Sequence, residues 1–219
     1  MTINSTITYS LLIILETTTF RYHKPFHLEA GGILPELELS YQALGELNHE
    51  RSNVVWVCHA FTGSQDVQDW WQGLVGRGKL FDPDKHFIIC VNVLGSHYGS
   101  TGPLSINPET GKPYFHDFPL ITIRDIVNSF DILREYLGIE KIYTCIGGSL
   151  GGQQCVEWAI SQPDLIENLI CRADELSGHI RSSVLGYDVQ RRLRLHKLLQ
   201  IVRIFRWQLS WWASRSRYP

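Results

Sequence analysis

The sequence lacks any apolar run long enough to cross a membrane, and no basic leader precedes an apolar segment. The run nearest the N-terminus, Leu11–Leu15, is far shorter than the roughly 20 residues that a membrane-spanning helix needs. We therefore expect a strand there rather than a signal peptide or an anchor. Internal repeats and low-complexity segments are also missing, which argues against solenoid and disordered classes.

Paired cysteine spacings are absent as well. The cysteines are odd in number, form no Cys-x-x-Cys pair and lie mostly in apolar runs: Cys58, Cys90, Cys145, Cys155 and Cys171. We interpret them as reduced core residues of a cytoplasmic protein. Scattered histidines lack ligand spacing with carboxylates or cysteines: His23, His27, His86, His97 and His116. The sequence therefore predicts no metal site.

The composition is that of a folded domain, with 44% hydrophobic and 11% aromatic residues among 219. Four segments indicate strands, the first alternating and partly exposed, the others continuously apolar: Pro35–Gly45, Val54–Cys58, His86–Val93 and Lys141–Ile146. Ile123–Tyr136 has apolar residues at helical spacing, and Gly138 follows as a stop signal. Strands that alternate with helices predict a mostly parallel α/β sheet.

A serine surrounded by glycines is the main chemical signal. Gly147-Gly148-Ser149-Leu150-Gly151 matches G-x-S-x-G, the nucleophile elbow, in which a serine occupies a strained turn between a strand and a helix. Lys141–Ile146 before it indicates the strand, and Gln153–Ile160 after it indicates the helix. A serine among glycines is by itself more often a simple turn, but this context favours a nucleophile.

The loop after Val54–Cys58 offers a second group that the elbow needs. The Phe61 N–H could join the Leu150 N–H in binding a tetrahedral oxyanion. His59 in the same loop is a candidate general base. We expect it to shape the loop instead, because this fold orders its catalytic residues as serine, acid and then histidine.

Four stretches resemble homoserine O-acetyltransferases over about Thr19 to Ile170. They are CHAFTGSQDVQDWW, FIICVNVLGSHYGSTGPLSINPETGKPY, FPLITIRDIVNSFDIL and IGGSLGGQQCVEWAISQPD. The resemblance implies an α/β-hydrolase fold, with a mostly parallel sheet, helices on both faces, and the C-terminal part and lid missing. It also implies transfer of acetyl from acetyl-CoA through an acyl-serine to L-homoserine, in methionine biosynthesis.

The same resemblance implies the role of each site residue. Ser149 is the expected nucleophile, and the backbone N–H groups of Phe61 and Leu150 are the expected oxyanion hole. The elbow glycines are Gly147, Gly148, Gly151 and Gly152. The family usually has leucine or methionine at the two oxyanion positions, which matters little for backbone donors. No bound cofactor, metal, nucleic acid or membrane partner is expected, and members are commonly homodimers in the cytoplasm.

The resemblance stops after Ile170, where the charge also changes. Residues 1–170 carry 10 basic and 19 acidic side chains, whereas residues 171–219 carry 10 basic and 3 acidic side chains. We therefore divide the chain into an N-terminal catalytic portion, 1–170, and an atypical basic tail, 171–219. The tail could be a basic amphipathic helix around Val189–Leu209 that binds anionic lipid or nucleic acid, a solvated helix, or an out-of-frame translation, which we favour.

The family's late arginine, aspartate and histidine are not recognisable in the tail. Its own carboxylates and histidines are poor substitutes because nothing places them at strand ends: Asp174, Asp188, His179 and His196. We therefore expect negligible acetyltransferase activity from this chain. The alternatives are a serine esterase of the same fold and a non-catalytic fragment with a basic binding tail.

Overall fold

The computed structural model describes residues 17–172, which are organised around one six-stranded sheet. The strands in chain order are β1 Thr18–Tyr22, β2 Phe26–His27, β3 Ile33–Leu34, β4 Leu37–Leu44, β5 Val54–Cys58, β6 Phe87–Val91, β7 Ile106–Asn107, β8 Lys112–Pro113, β9 Ile142–Gly148 and β10 Ile166–Arg172. The main sheet has the order β1-β4-β6-β5-β9-β10. β1, β4 and β6 pair antiparallel, and β6, β5, β9 and β10 pair parallel.

Three α-helices accompany the sheet: α1 Val67–Trp70, α2 Ile123–Tyr136 and α3 Leu150–Ser161. α2 begins at a capping box, in which Thr122 Oγ1 accepts from the Asp125 N–H and the Asp125 carboxylate accepts from the Thr122 N–H. It ends before Gly138, whose φ of +66° only glycine adopts at little cost. The predicted bounds of this helix and its stop signal are confirmed.

The two faces of the sheet bury separate apolar clusters. α2 and α3 cover one face, where Trp56 meets Phe130 and Trp158 at ring-centroid distances of 5.8 and 4.9 Å. The opposite face carries Val55 and Val57 and is covered by α1 and the segment after it. β5 is buried on both faces, and this burial explains why its sequence is apolar at every position.

The parallel α/β core that the sequence predicts is confirmed, with one error. β4 was expected to be partly exposed, yet most of its side chains are buried, including the polar Ser40 and Gln42. Its apolar side chains join the core clusters of both faces, and the loop after β6 covers Ser40, whose N–H donates to Ser100 Oγ. None of the helices in residues 17–172 is long and apolar enough to span a membrane.

Two other predictions fall partly or wholly beyond this part of the chain. The strand expected at Leu11–Leu15 lies outside the described residues, and so does the basic tail beyond Arg172. The boundary drawn after Ile170 falls inside β10, which continues without a break through Cys171.

Candidate active site

Ser149 lies between the C-terminal end of β9 and the first turn of α3, as the elbow motif predicts. Its backbone has φ +54° and ψ −123°, a region that residues with a side chain rarely occupy. The residue is exposed, and its hydroxyl makes no hydrogen bond to any residue between 17 and 172. The fold therefore presents Ser149 Oγ outward from a strained turn.

Two of the elbow glycines, Gly147 and Gly151, are required because other backbone atoms approach them closely. A Cβ at Gly151 would lie 2.0 Å from the carbonyl oxygen of Cys58, and one at Gly147 would lie 2.5 Å from the carbonyl of Gly151. Real Cβ atoms do not come so close, so no other residue fits without moving β5 or α3. The prediction that side chains here would collide with the neighbouring strand and helix is confirmed at both positions.

The loop after β5 lies beside the first turn of α3. The carbonyl oxygen of His59, like that of Cys58, faces the position where a Gly151 Cβ would be. The Gly63 N–H donates to the Ala60 carbonyl at 2.8 Å and closes a turn around Phe61, whose side chain is 80% exposed. The N–H groups of Phe61 and Leu150, the expected oxyanion donors, therefore lie in segments that are held by backbone contacts rather than by side chains.

The N–H groups of Phe61 and Leu150 have no acceptor within the described part of the chain. Leu150 is the first residue of α3, where helix geometry leaves the N–H without a partner, and the helix dipole places partial positive charge there. Unpaired N–H groups in a helix first turn and an adjacent loop are typical of an anion-binding site.

His59 shapes the loop, as expected from the order of residues. It is 1% exposed, and its Nδ1 lies 2.7 Å from the Ala60 carbonyl while its Nε2 accepts from the Val93 N–H at 3.2 Å. These contacts define a neutral ring with the proton on Nδ1. Because both ring nitrogens are engaged, His59 connects the loop after β5 to the end of β6 and has no free nitrogen for Ser149.

Asn92 is a second buried residue that connects these loops, and no sequence motif marked it. Asn92 follows β6, its Oδ1 accepts from the Gln65 N–H at 2.9 Å, and its Nδ2 donates to the Tyr98 carbonyl at 2.5 Å. It therefore holds together the loops that follow β5 and β6. The available signal was one polar residue within the apolar stretch His86–Val93.

The cysteines are all free, and the structure gathers three of them. The Sγ atoms of Cys58, Cys145 and Cys155 lie within 4.8 Å of one another, although no sequence spacing indicated this. Burial raises the pKa of the Cys155 thiol well above its usual value. The histidines and carboxylates considered in the tail, Asp174, Asp188, His179 and His196, lie outside the described residues.

The strain at Ser149 predicts an unusual order of stability. Ser149→Gly should be more stable than Ser149→Ala by about 1–3 kcal/mol, because glycine adopts this backbone conformation without strain. Urea unfolding of both variants measures the difference. At Ser129, inside α2, the order should be reversed: Ser129→Ala should be more stable to unfolding than Ser129→Gly by about 1 kcal/mol. Equal stability of the two Ser149 variants would contradict the strain.

The close approach at Gly151 predicts that even a methyl group is not tolerated. Gly151→Ala should lower the free energy of unfolding by about 1–3 kcal/mol or more, because β5 and α3 must separate. Gly73→Ala is the control, since a Cβ there meets nothing within 4 Å. Denaturant unfolding measures the stability of both variants. Equal stability of Gly151→Ala and Gly73→Ala would refute the close packing of Gly151 against the Cys58 carbonyl.

Burial of His59 predicts a dependence of stability on pH. Burial lowers the pKa of His59 from its ordinary 6.5, against the opposing effect of the Ala60 carbonyl. Below about pH 6.5 the unfolded chain therefore binds a proton that the folded chain does not, and the free energy of unfolding falls as the pH falls. Urea unfolding between about pH 7.5 and 5.5 should show a weaker decline in His59→Gln. The exposed His116→Gln is the control, and an unchanged slope in His59→Gln would exclude His59 as the source.

Comparisons with known proteins agree with this geometry. A homoserine O-acetyltransferase of Cyclobacterium marinum is 46% identical over 185 residues, which are 84% of this chain and 52% of that protein. The chain thus spans about half the length of the curated relatives that it matches.

Solved structures match the described fold. A crystallised esterase superposes with a TM-score of 0.66 and 37% identity, over 72% of this chain and 47% of its own. Homoserine O-acetyltransferase from Bacillus anthracis superposes with a TM-score of 0.65 and 33% identity, over 72% of this chain and 46% of its own. A family model described as the alpha/beta hydrolase fold matches residues 53–219. With this match over most of its length, and with a serine elbow at the end of a parallel strand, the chain belongs to the α/β-hydrolase fold family.

Proposed function

We propose that the chain is the nucleophile-bearing portion of an acyltransferase that moves acetyl from acetyl-CoA to the hydroxyl of L-homoserine. The observation that carries the proposal is the exposed, strained Ser149 beside two unpaired backbone N–H groups. The 46% identity to a homoserine O-acetyltransferase across this same region supports the choice of substrates. Methionine biosynthesis, a cytoplasmic location and a homodimer belong to the same proposal.

In the first half-reaction, Ser149 Oγ attacks the thioester carbonyl of acetyl-CoA. The carbonyl oxygen becomes an oxyanion that the N–H groups of Phe61 and Leu150 stabilise. The C–S bond then breaks, CoA leaves as its thiol after receiving the serine proton through a base, and the acetyl group stays on Oγ. Gly147 and Gly151 allow the approach of β5 and α3 on which this arrangement rests.

In the second half-reaction, the homoserine hydroxyl attacks the acetyl-serine. The same N–H groups bind the second oxyanion, and collapse releases O-acetylhomoserine and regenerates the serine. The proton transfers require a general base. We assign that base to residues beyond 17–172, because Ser149 Oγ contacts no base within them and His59 is fully engaged.

An esterase that uses water as the acceptor is the second candidate. The crystallised esterase superposes on this fold as well as the acetyltransferase from Bacillus anthracis does. The elbow and its donors serve both reactions equally, since the first half-reaction is the same. The acceptor therefore has to be distinguished by experiment.

Acylation of Ser149 by acetyl-CoA tests the proposal directly. We expect mass spectrometry of the purified full chain to detect slow acetylation on the peptide that contains Ser149. A catalytic serine that has lost its acid and histidine partners typically retains about 10³–10⁴-fold catalysis over water. Added L-homoserine should speed loss of the acetyl group and yield O-acetylhomoserine.

Ser149→Ala is the matched control, and it should remain unmodified. Acetylation elsewhere, or equal acetylation of Ser149→Ala, would refute the nucleophile. Deacetylation at the same rate with and without homoserine, with acetate as the product, would support the esterase instead.

A further inference from the structure

Three thiols meet at one point in the core, immediately behind the elbow. Cys58 ends β5, Cys145 lies in β9 and Cys155 lies in α3, so each comes from a different element. The Sγ atom of Cys145 is 4.0 Å from that of Cys58 and 3.4 Å from that of Cys155. All three residues are at most 1% exposed. We call these residues the thiol triad.

The surroundings of the triad decide which ions it could hold. It belongs to the larger apolar cluster, beside Trp56, which pairs with Cys145 across the sheet, and Trp158, one turn from Cys155. Net charge is costly in such a place. The triad also offers only three ligand atoms within residues 17–172, whereas structural zinc sites take four.

We propose that the thiol triad is a binding site for trivalent arsenic, taken up as arsenous acid. Three S–H bonds and three As–O bonds break, while three As–S bonds form and three water molecules leave. No electron is transferred, and no net proton is released. The product is uncharged, so it meets the demand of an apolar core. A Cu⁺ ion with three thiolates would instead leave two net negative charges there.

The spacing of the triad suits a three-coordinate ion. Trivalent arsenic carries a lone pair and is pyramidal, so a centre about 2.3 Å from each of three sulfur atoms, the usual length for zinc and thiolate, requires sulfurs roughly 3.5 Å apart. The separation between Cys145 and Cys155 is 3.4 Å, that between Cys58 and Cys145 is 4.0 Å, and the third lies within 4.8 Å. Only small side-chain shifts are therefore needed once the core opens locally to admit the ligand.

Binding would join two strands and a helix next to the elbow. The Cys58 carbonyl that contacts Gly151 belongs to the same residue that would supply one sulfur. Bound arsenic should therefore stabilise the fold by mass action and restrict movement of β5 against α3. This inference stands apart from the proposed acyl transfer, and its test does not measure catalysis.

The test uses the reduced full chain, titrated with arsenite without oxygen and followed by native mass spectrometry. We expect one arsenic per chain, with the mass of one arsenic atom less three protons. Cys58→Ala, Cys145→Ala and Cys155→Ala should each weaken binding by about tenfold or more, since loss of even an outer partner of a metal ligand costs that much. Cys90→Ala is the matched control, being equally buried on the other face of the sheet, and should bind as the unaltered chain does.

Two measurements on the unaltered chain avoid reliance on variants that fail to fold. X-ray absorption at the arsenic edge of the folded complex should show three sulfur neighbours and no oxygen neighbour. Arsenite should also raise the midpoint of urea unfolding of the unaltered chain, because a ligand that binds the folded core stabilises it by mass action.

The proposal is overturned by absence of bound arsenic, by binding that survives all three triad substitutions, or by binding lost in Cys90→Ala. A disulfide between Cys145 and Cys155 that persists in the presence of a reductant would also overturn it. An unfolding midpoint that arsenite leaves unchanged would contradict binding to the folded core.

Discussion

The contact between the first turn of α3 and the Cys58 carbonyl is the constraint on which the rest of the site depends. It leaves no room for a Cβ at Gly151 and brings the helix directly against the end of β5. The chain must therefore turn sharply at Ser149, which accepts a positive φ as the consequence. The same contact places the loop that carries Phe61 beside the helix terminus.

Parallel strand pairing explains why the other site residues gather at this edge. β6, β5 and β9 run in one direction, so the segments after their C-terminal ends share one side of the sheet. His59, Asn92 and Ser149 all come from those segments. The first two are buried and hydrogen-bonded, and they hold the loops around an exposed serine. Rigid neighbours thus surround the one side chain that must remain accessible.

The described residues provide one half of a catalytic arrangement. They supply an exposed hydroxyl and unpaired backbone donors, but no side chain between 17 and 172 forms a hydrogen bond with Ser149 Oγ. In the proposed reaction the elbow forms the acyl-enzyme, whereas the choice of acceptor depends on residues elsewhere. This division explains why an esterase and an acetyltransferase superpose on the same region equally well.

By itself, the sequence determined the positions of β4, β5, β6, β9 and α3, the α2 boundaries and the elbow at Ser149. These features are local, because hydrophobic periodicity, caps and glycine spacing act over a few neighbouring residues. Only the tertiary structure decided that β4 is buried, that Asn92 joins two loops, and that Cys58, Cys145 and Cys155 meet. Those outcomes depend on strand order and on which helix covers which face. A contact such as that between Cys58 and Cys155, which are 97 positions apart, is set by packing, which no local pattern of residues encodes.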